Sequence, residues 1–169
     1  MTFLISREQK DYALMIGKNR NDAARMRNAH NSWDEKIEYK FNCDGALGEI
    51  LFADQNNYPR PVVITYNEAT LLTSDVAGYE IKTRVNDYIK HQLWINCRDV
   101  DGKPSRPVVL LKICADYETY SYLGWMWSDD IPVYGEKRVN VRQADVYVVD
   151  ADLLGRMNDL PKLVANGAF

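Results

Sequence analysis

The nine residues Gly45-Ala46-Leu47-Gly48-Glu49-Ile50-Leu51-Phe52-Ala53 carry a single ionisable side chain, Glu49. A run this apolar is at odds with a water-facing surface, so it predicts a helix buried on most sides. On a helical wheel Leu47, Ile50 and Leu51 form one face, and Glu49 lies opposite with Gly45, Gly48 and Phe52. That second face holds no other charge or amide. Its two glycines lower helix propensity and bring nothing to a solvated surface. Small residues beside a lone glutamate predict close approach of the helix to a sheet, with the carboxylate turned into a polar site. A buried carboxylate without a partner is costly, and a metal ion or Lys82 would relieve it.

Around this segment the chain reads as helices first and strands afterwards. Ser6-Arg7-Glu8-Gln9 fits a capping box that opens a helix running to about Gly17. Asn21-Asp22 restarts a helix through Ala29, and Asp44 is a natural N-cap for the buried segment. Asp54–Arg60 reads as a loop. Strand patterns follow at Pro61–Tyr66, Leu71–Asp75, Tyr79–Arg84, Gln92–Cys97, Pro107–Ile113 and Thr119–Trp127, with one or two more in Val139–Val149. Val76-Ala77-Gly78 suits a hairpin turn, and Asp99–Ser105 a turn-rich loop. In Thr119–Trp127, alternation puts Tyr120, Tyr122, Gly124 and Met126 on one face and Ser121, Leu123, Trp125 and Trp127 on the other. Those aromatics could stack on unpaired bases, though such alternation more often marks a core. Trp33 and Trp94 are core candidates, and Ala151–Asn158 forms a short helix ahead of Pro161. The expected fold is α+β, one domain over 1–169 with a helical N-terminal part at about 1–40. A mixed, mostly antiparallel sheet flanked by helices follows.

At 169 residues the chain can bury a core without disulfides or a structural metal. Cys43, Cys97 and Cys114 are odd in number, widely spaced and free of any CxxC pair, which fits reduced thiols in a cytoplasmic protein and no zinc or redox motif. His30 and His91 are the only histidines, so a histidine-based metal site or triad is not expected. No apolar run reaches membrane-spanning length, and the N-terminus turns polar after Ile5, unlike a signal peptide. No glycine-rich phosphate loop is present, which argues against a nucleotide triphosphatase. The net charge of −3 does not favour a nucleic-acid partner by itself. Lys82–Arg106 nevertheless holds six basic residues against three acidic ones, a local excess compatible with a basic rim. Arg84 and Lys90, beside the hairpin, are the nucleic-acid-binding candidates within it.

The chemistry gathers at Asp75-Val-Ala-Gly-Tyr-Glu-Ile-Lys-Thr83. With Tyr79–Arg84 as a strand, Tyr79, Ile81 and Thr83 share one face, and Tyr79 and Ile81 pack on the core. Glu80, Lys82 and Arg84 then point together into a cleft that Asp75 reaches from across the turn. Asp75, Glu80 and Glu49 could ligate a hard cation such as Mg²⁺, and the Ile81 carbonyl could add another oxygen. Lys82 could orient the attacking water and stabilise the transition state, or give up its proton and act as a base; the residues leave both roles open.

The Glu49…Asp75-x4-Glu80-x-Lys82 order resembles the PD-(D/E)XK nuclease superfamily. Gly45-Ala-Leu-Gly-Glu49 looks like its first core helix, and Asp75–Thr83 like its signature hairpin. Val108–Ile113 followed by Tyr120-Ser-Tyr-Leu-Gly-Trp125 is similar to the closing strands of small, often phage-encoded members. The resemblance extends from the N-terminal helices to about Trp127. It implies a restriction-endonuclease-like core and Mg²⁺- or Mn²⁺-dependent hydrolysis of phosphodiester bonds, in the host cytoplasm if phage-encoded. Asp75 and Glu80 would be metal ligands, Lys82 the catalytic lysine, and Glu49 a helix-borne ligand or water-orienter. DNA is the implied substrate, with RNA left open, and many such nucleases act as homodimers. Ser74 stands where the family motif has proline, and no DNA-reading domain is recognisable, so an endonuclease with little sequence preference is the expectation. The rival expectations are an inactive member of the fold that binds nucleic acid or protein, and an interaction protein whose exposed aromatics dock on a partner.

Overall fold

Ser6 and Gln9 close a reciprocal capping box: Ser6 N–H donates to Gln9 Oε1 at 2.9 Å and Gln9 N–H to Ser6 Oγ at 3.2 Å. From this start α1 (Arg7–Met26) runs unbroken through Gly17. The stop expected at Gly17 and the restart at Asn21 do not occur. Gly17 serves instead as a contact point with the second helix, since a Cβ there would come 2.7 Å from the Cα of Cys43. That second helix, α2 (Glu35–Asn56), is likewise continuous. Asp44 is therefore not an N-cap. It sits mid-helix, accepting hydrogen bonds from Lys40 Nζ and from the Tyr117 hydroxyl, each at 2.7 Å. The helix also extends through Asn56, past the Asp54 where a loop was expected, and ends as Asn57 turns to a φ of +56°.

The computed structural model describes residues 1–26, 35–62, 75–86, 91–140 and 143–163. Trp33, Lys90, His30 and most of the strands expected at 61–66 and 71–75 lie outside them. Pro61 and Val62 are described and are not in a strand, and Asp75 lies in a bend.

Among the described residues seven strands build two sheets, where a single sheet is expected from the sequence. The larger has the order β1-β5-β4-β2, from β1 (Thr2–Leu4), β5 (Thr119–Trp127), β4 (Pro107–Ile113) and β2 (Glu80–Val85). Among its described strands only β2 and β4 pair in parallel. The smaller sheet, order β3-β7-β6, is antiparallel and joins β3 (Gln92–Asn96), β7 (Asp145–Asp150) and β6 (Glu136–Val139). One short helix, α3 (Ile131–Tyr134), precedes β6. The architecture is α+β as expected, and β4 and β5 have the bounds read from the sequence. The three-residue β1, too short to carry a pattern, was not foreseen. The helix expected over Ala151–Asn158 is two separate 3₁₀ turns, Ala151–Leu153 and Met157–Asp159. No helix among the described residues is long and apolar enough to cross a membrane.

The larger sheet lies between two apolar layers. On one side Ile16, Leu47, Ile50 and Leu51 of the helices pack with Leu111, Ile113 and Tyr120. On the other, Val108, Leu110 and Met126 meet Leu93, Ile95 and Val149 of the smaller sheet. A bulge in β5 decides which side chains go where. Leu110 pairs with Gly124 but Leu111 with Tyr122, leaving Leu123 as the extra residue. Beyond it the alternation changes phase, so Trp125 falls on the helix side with Tyr122, and Met126 on the opposite side with Leu123. The face assignment expected for Trp125 and Met126 is thus reversed relative to Tyr122. Trp94 is not in the core: its side chain is 36% exposed, on the face of β3 opposite Leu93 and Ile95.

Candidate functional site

The site is built around β2, the outermost strand of the larger sheet among the described residues. A tight turn leads into it, with Ala77 and Gly78 both at positive φ (+48° and +89°) and Tyr79 N–H donating to Val76 O at 2.8 Å. Tyr79 is buried beside Phe52, and its hydroxyl donates to the Pro161 carbonyl at 2.6 Å, which anchors the start of the strand. Ile81 packs with Phe52 and Ala53 on the helix side. Thr83 meets α2 at Gly48, where an added Cβ would overlap Thr83 Oγ1 and lie 3.1 Å from its Cβ. The close helix–sheet approach expected from Gly48 is therefore present. Glu80, Lys82 and Arg84 project from the other face.

Glu49 and Glu80 thus lie on opposite sides of one strand, and Asp75 connects them at its edge. Asp75 Oδ2 accepts the Ile81 N–H at 2.7 Å. Because N–H and C=O of one residue in an extended strand point the same way, the Ile81 carbonyl is directed to this same edge. Glu49, Asp75, Ile81 and Lys82 line one cavity of about 430 Å³, together with Arg20 and Arg84. Glu80 is next to it, bound by Lys82 Nζ at 2.6 Å and by Arg106 Nη2 at 3.0 Å.

The side-chain partner of Glu49 is Arg20 of α1, not Lys82. Its guanidinium meets the carboxylate fork to fork, at 2.7 and 2.5 Å. Ala13, Ile16 and Gly17 precede Arg20 at helical spacing, so Arg20 extends the buried stripe of α1. Reading Gly17 as a helix stop hid that signal. Arg106, just before β4, falls in the basic stretch, but nothing in its spacing points to Glu80.

Three carboxylates at this edge differ in their surroundings. Burial pushes the Asp75 carboxyl up to about 7, and Glu49 and Glu80 add to the rise, outweighing Lys82 and the Ile81 N–H. For Glu80 burial also acts upward as the largest single influence, yet Lys82 and Arg106 together hold it below the usual range. Burial alone would lower the Lys82 ammonium, but Glu80 and Asp75 more than offset this and hold it above its ordinary value. Lys82 is accordingly a charged donor in this arrangement. Arg20 is also raised: burial opposes its charge, and Glu49, then Asp75, favour it.

The donor set suits a hard cation in type: the Asp75 and Glu49 carboxylates and the Ile81 carbonyl belong to residues that line the cavity. Glu49 and Glu80, however, give both oxygens to basic side chains. Among the described residues no three His, Cys, Asp or Glu side chains are gathered as a metal cluster. A cation held by Asp75 together with Glu49 or Glu80 competes with Arg20, or with Lys82 and Arg106, for the carboxylate oxygens. Comparison with protein-family models, characterised proteins and solved structures finds no match to this chain.

Proposed function

We propose that the chain is a Mg²⁺- or Mn²⁺-dependent nuclease that hydrolyses phosphodiester bonds of DNA, an endonuclease with little sequence preference. The observation that carries this reading is the convergence of Glu49, Asp75, Ile81 and Lys82 on one cavity at the edge of β2. Those positions, with Glu80, carry the resemblance to the PD-(D/E)XK superfamily. Asp75, Glu80 or Glu49, and the Ile81 carbonyl would hold the metal, which when bound supplies an acidified water and charge neutralisation at phosphate. Lys82, held charged beside Glu80 and Asp75, would orient that water and donate to the oxygen on which charge develops. Tyr79 and the turn before it fix the strand that carries both Glu80 and Lys82, so the spacing of the two is set before substrate arrives.

A second reading, an inactive member of the fold that binds nucleic acid or protein, is favoured by one feature. Glu49, Asp75 and Glu80 stand against Arg20, Lys82 and Arg106, a set that balances in charge without any metal. Cleavage of circular and linear DNA in Mg²⁺ or Mn²⁺, beside Lys82→Ala and Asp75→Asn, separates the two. Nicked circles with the native protein and none with either folded variant support the nuclease, and the same assay on RNA fixes the substrate. Uncut DNA, with a melting temperature that millimolar Mn²⁺ leaves unchanged, supports the binding protein.

A further inference from the structure

Four basic side chains line the cavity, and three have a carboxylate: Arg20 has Glu49, Lys40 has Asp44 and Lys82 has Glu80. Arg84 differs. Its Nε donates to the Gln92 carbonyl at 3.1 Å, and its guanidinium carbon lies 5.8 Å from the centre of the Trp94 ring system. Among the described residues no carboxylate pairs with it and its two terminal nitrogens donate to no protein acceptor. A half-buried guanidinium without a counter-charge is open to an anionic partner, and its planar fork matches a phosphate. Arg84 also shares a face with Lys82 two residues away, about 7 Å along the strand. A nucleic-acid strand whose reacting phosphate lies at Lys82 passes next over Arg84. Beside it stands Trp94, a residue 36% exposed on a strand whose neighbours Leu93 and Ile95 are buried.

We propose that Arg84 and Trp94 form a strand-binding subsite: the guanidinium takes a backbone phosphate next to the reacting one, and the indole stacks on an unpaired base. The inference rests on the nuclease reading in taking the cavity's ligand to be a nucleic-acid phosphate, and it adds that the strand is single where it crosses β3. An indole offers a π-face to any base, so sequence tolerance follows.

The test is fluorescence anisotropy of a labelled oligothymidylate and of a duplex, in EDTA and again in Ca²⁺, with the native chain, Arg84→Gln, Arg84→Lys, Trp94→Ala and Trp94→Phe. Thermal unfolding confirms that each variant is folded. Expected are tighter binding of the single strand than of the duplex and a loss of about tenfold or more for Trp94→Ala, with most affinity kept by Trp94→Phe. Arg84→Gln weakens binding and flattens the salt dependence by about 0.7 in log–log slope, while Arg84→Lys keeps the slope. No binding in either buffer, or variants that bind as the native chain does, overturns the subsite. The assay does not read cleavage. DNA bound through Arg84 and Trp94 but left uncut in Mn²⁺ would keep the subsite and remove the nuclease. Cutting in Mn²⁺ with unaltered binding by the variants would do the reverse.

Discussion

Arg20 and Glu49 join α1 to α2 through two parallel hydrogen bonds of 2.7 and 2.5 Å, and the carboxylate is almost wholly buried while the guanidinium reaches partly into water. Removing one partner strands the other. Arg20→Met is expected to lower stability by about 3 kcal/mol, because it leaves Glu49 as an unpaired buried charge. Chemical denaturation checks this, and Arg20→Met/Glu49→Gln should recover most of the loss. If Glu49 ligates a metal, millimolar Mn²⁺ should stabilise Arg20→Met more than the native chain, since the cation no longer competes with arginine.

Asp75 gives a pH dependence of definite sign. Its carboxyl titrates near 7 in the fold and at 3.8 when unfolded. Below 3.8 both states hold the proton and the group has no effect. As pH rises from there through 7, the folded state is progressively destabilised, and above 7 the cost is complete. The ceiling is about 4 kcal/mol, from roughly three units at 1.36 kcal/mol each. Asp75→Asn keeps an oxygen for the Ile81 N–H and removes the charge. Without added metal it should raise the melting temperature at about pH 8 and have little effect at about pH 4. An equal gain at both would place the cause elsewhere.

The tight turn ahead of β2 holds Ala77 at a φ of +48°, a region that costs a residue with a Cβ roughly 1 kcal/mol. Ala77→Gly releases that strain but gives the unfolded chain more freedom. The net expectation is a stability gain of at most about 1 kcal/mol, measured by urea unfolding, with metal binding unchanged.

How much of this was legible depended on the range of the interaction. The capping box at Ser6, a tight turn at Ala77-Gly78 and a strand over most of Tyr79–Arg84 are local and present, whereas most of the partner strand expected for a hairpin lies outside the described residues. The placement of Glu49 was also readable, since a lone carboxylate among small apolar residues needs a polar neighbour. Its actual neighbour was not readable. Arg20 is 29 positions away on a helix that the sequence appeared to end at Gly17, and glycine looks the same as a stop and as a helix contact. The bulge at Leu123 escaped for a related reason, because an extra residue in one strand is defined by the pairing with its neighbour. Trp94 is a core candidate by sequence, and the alternation of β3 turns it to the face opposite the buried Leu93 and Ile95.

Gly48 ties the fold to the site most directly. A methyl group there would overlap Thr83 Oγ1 and sit 3.1 Å from Thr83 Cβ and 3.3 Å from its Cγ2. Thr83 is on the edge strand and cannot retreat without moving Lys82, and Gly48 cannot retreat without moving Glu49. Gly48→Ala gains about 1 kcal/mol in helix propensity and loses about 1–3 kcal/mol to overpacking. A net loss of up to 2 kcal/mol is therefore expected. The more telling readout is functional: the helix must shift from β2, so Mn²⁺ affinity and cleavage should fall further than stability does. Thr83→Ala removes the overlapping oxygen, and Gly48→Ala/Thr83→Ala should recover part of both losses. If Gly48→Ala lowers stability but leaves metal affinity intact, Glu49 does not act from α2 on the edge of β2, and only Asp75, Glu80 and the Ile81 carbonyl remain as ligands.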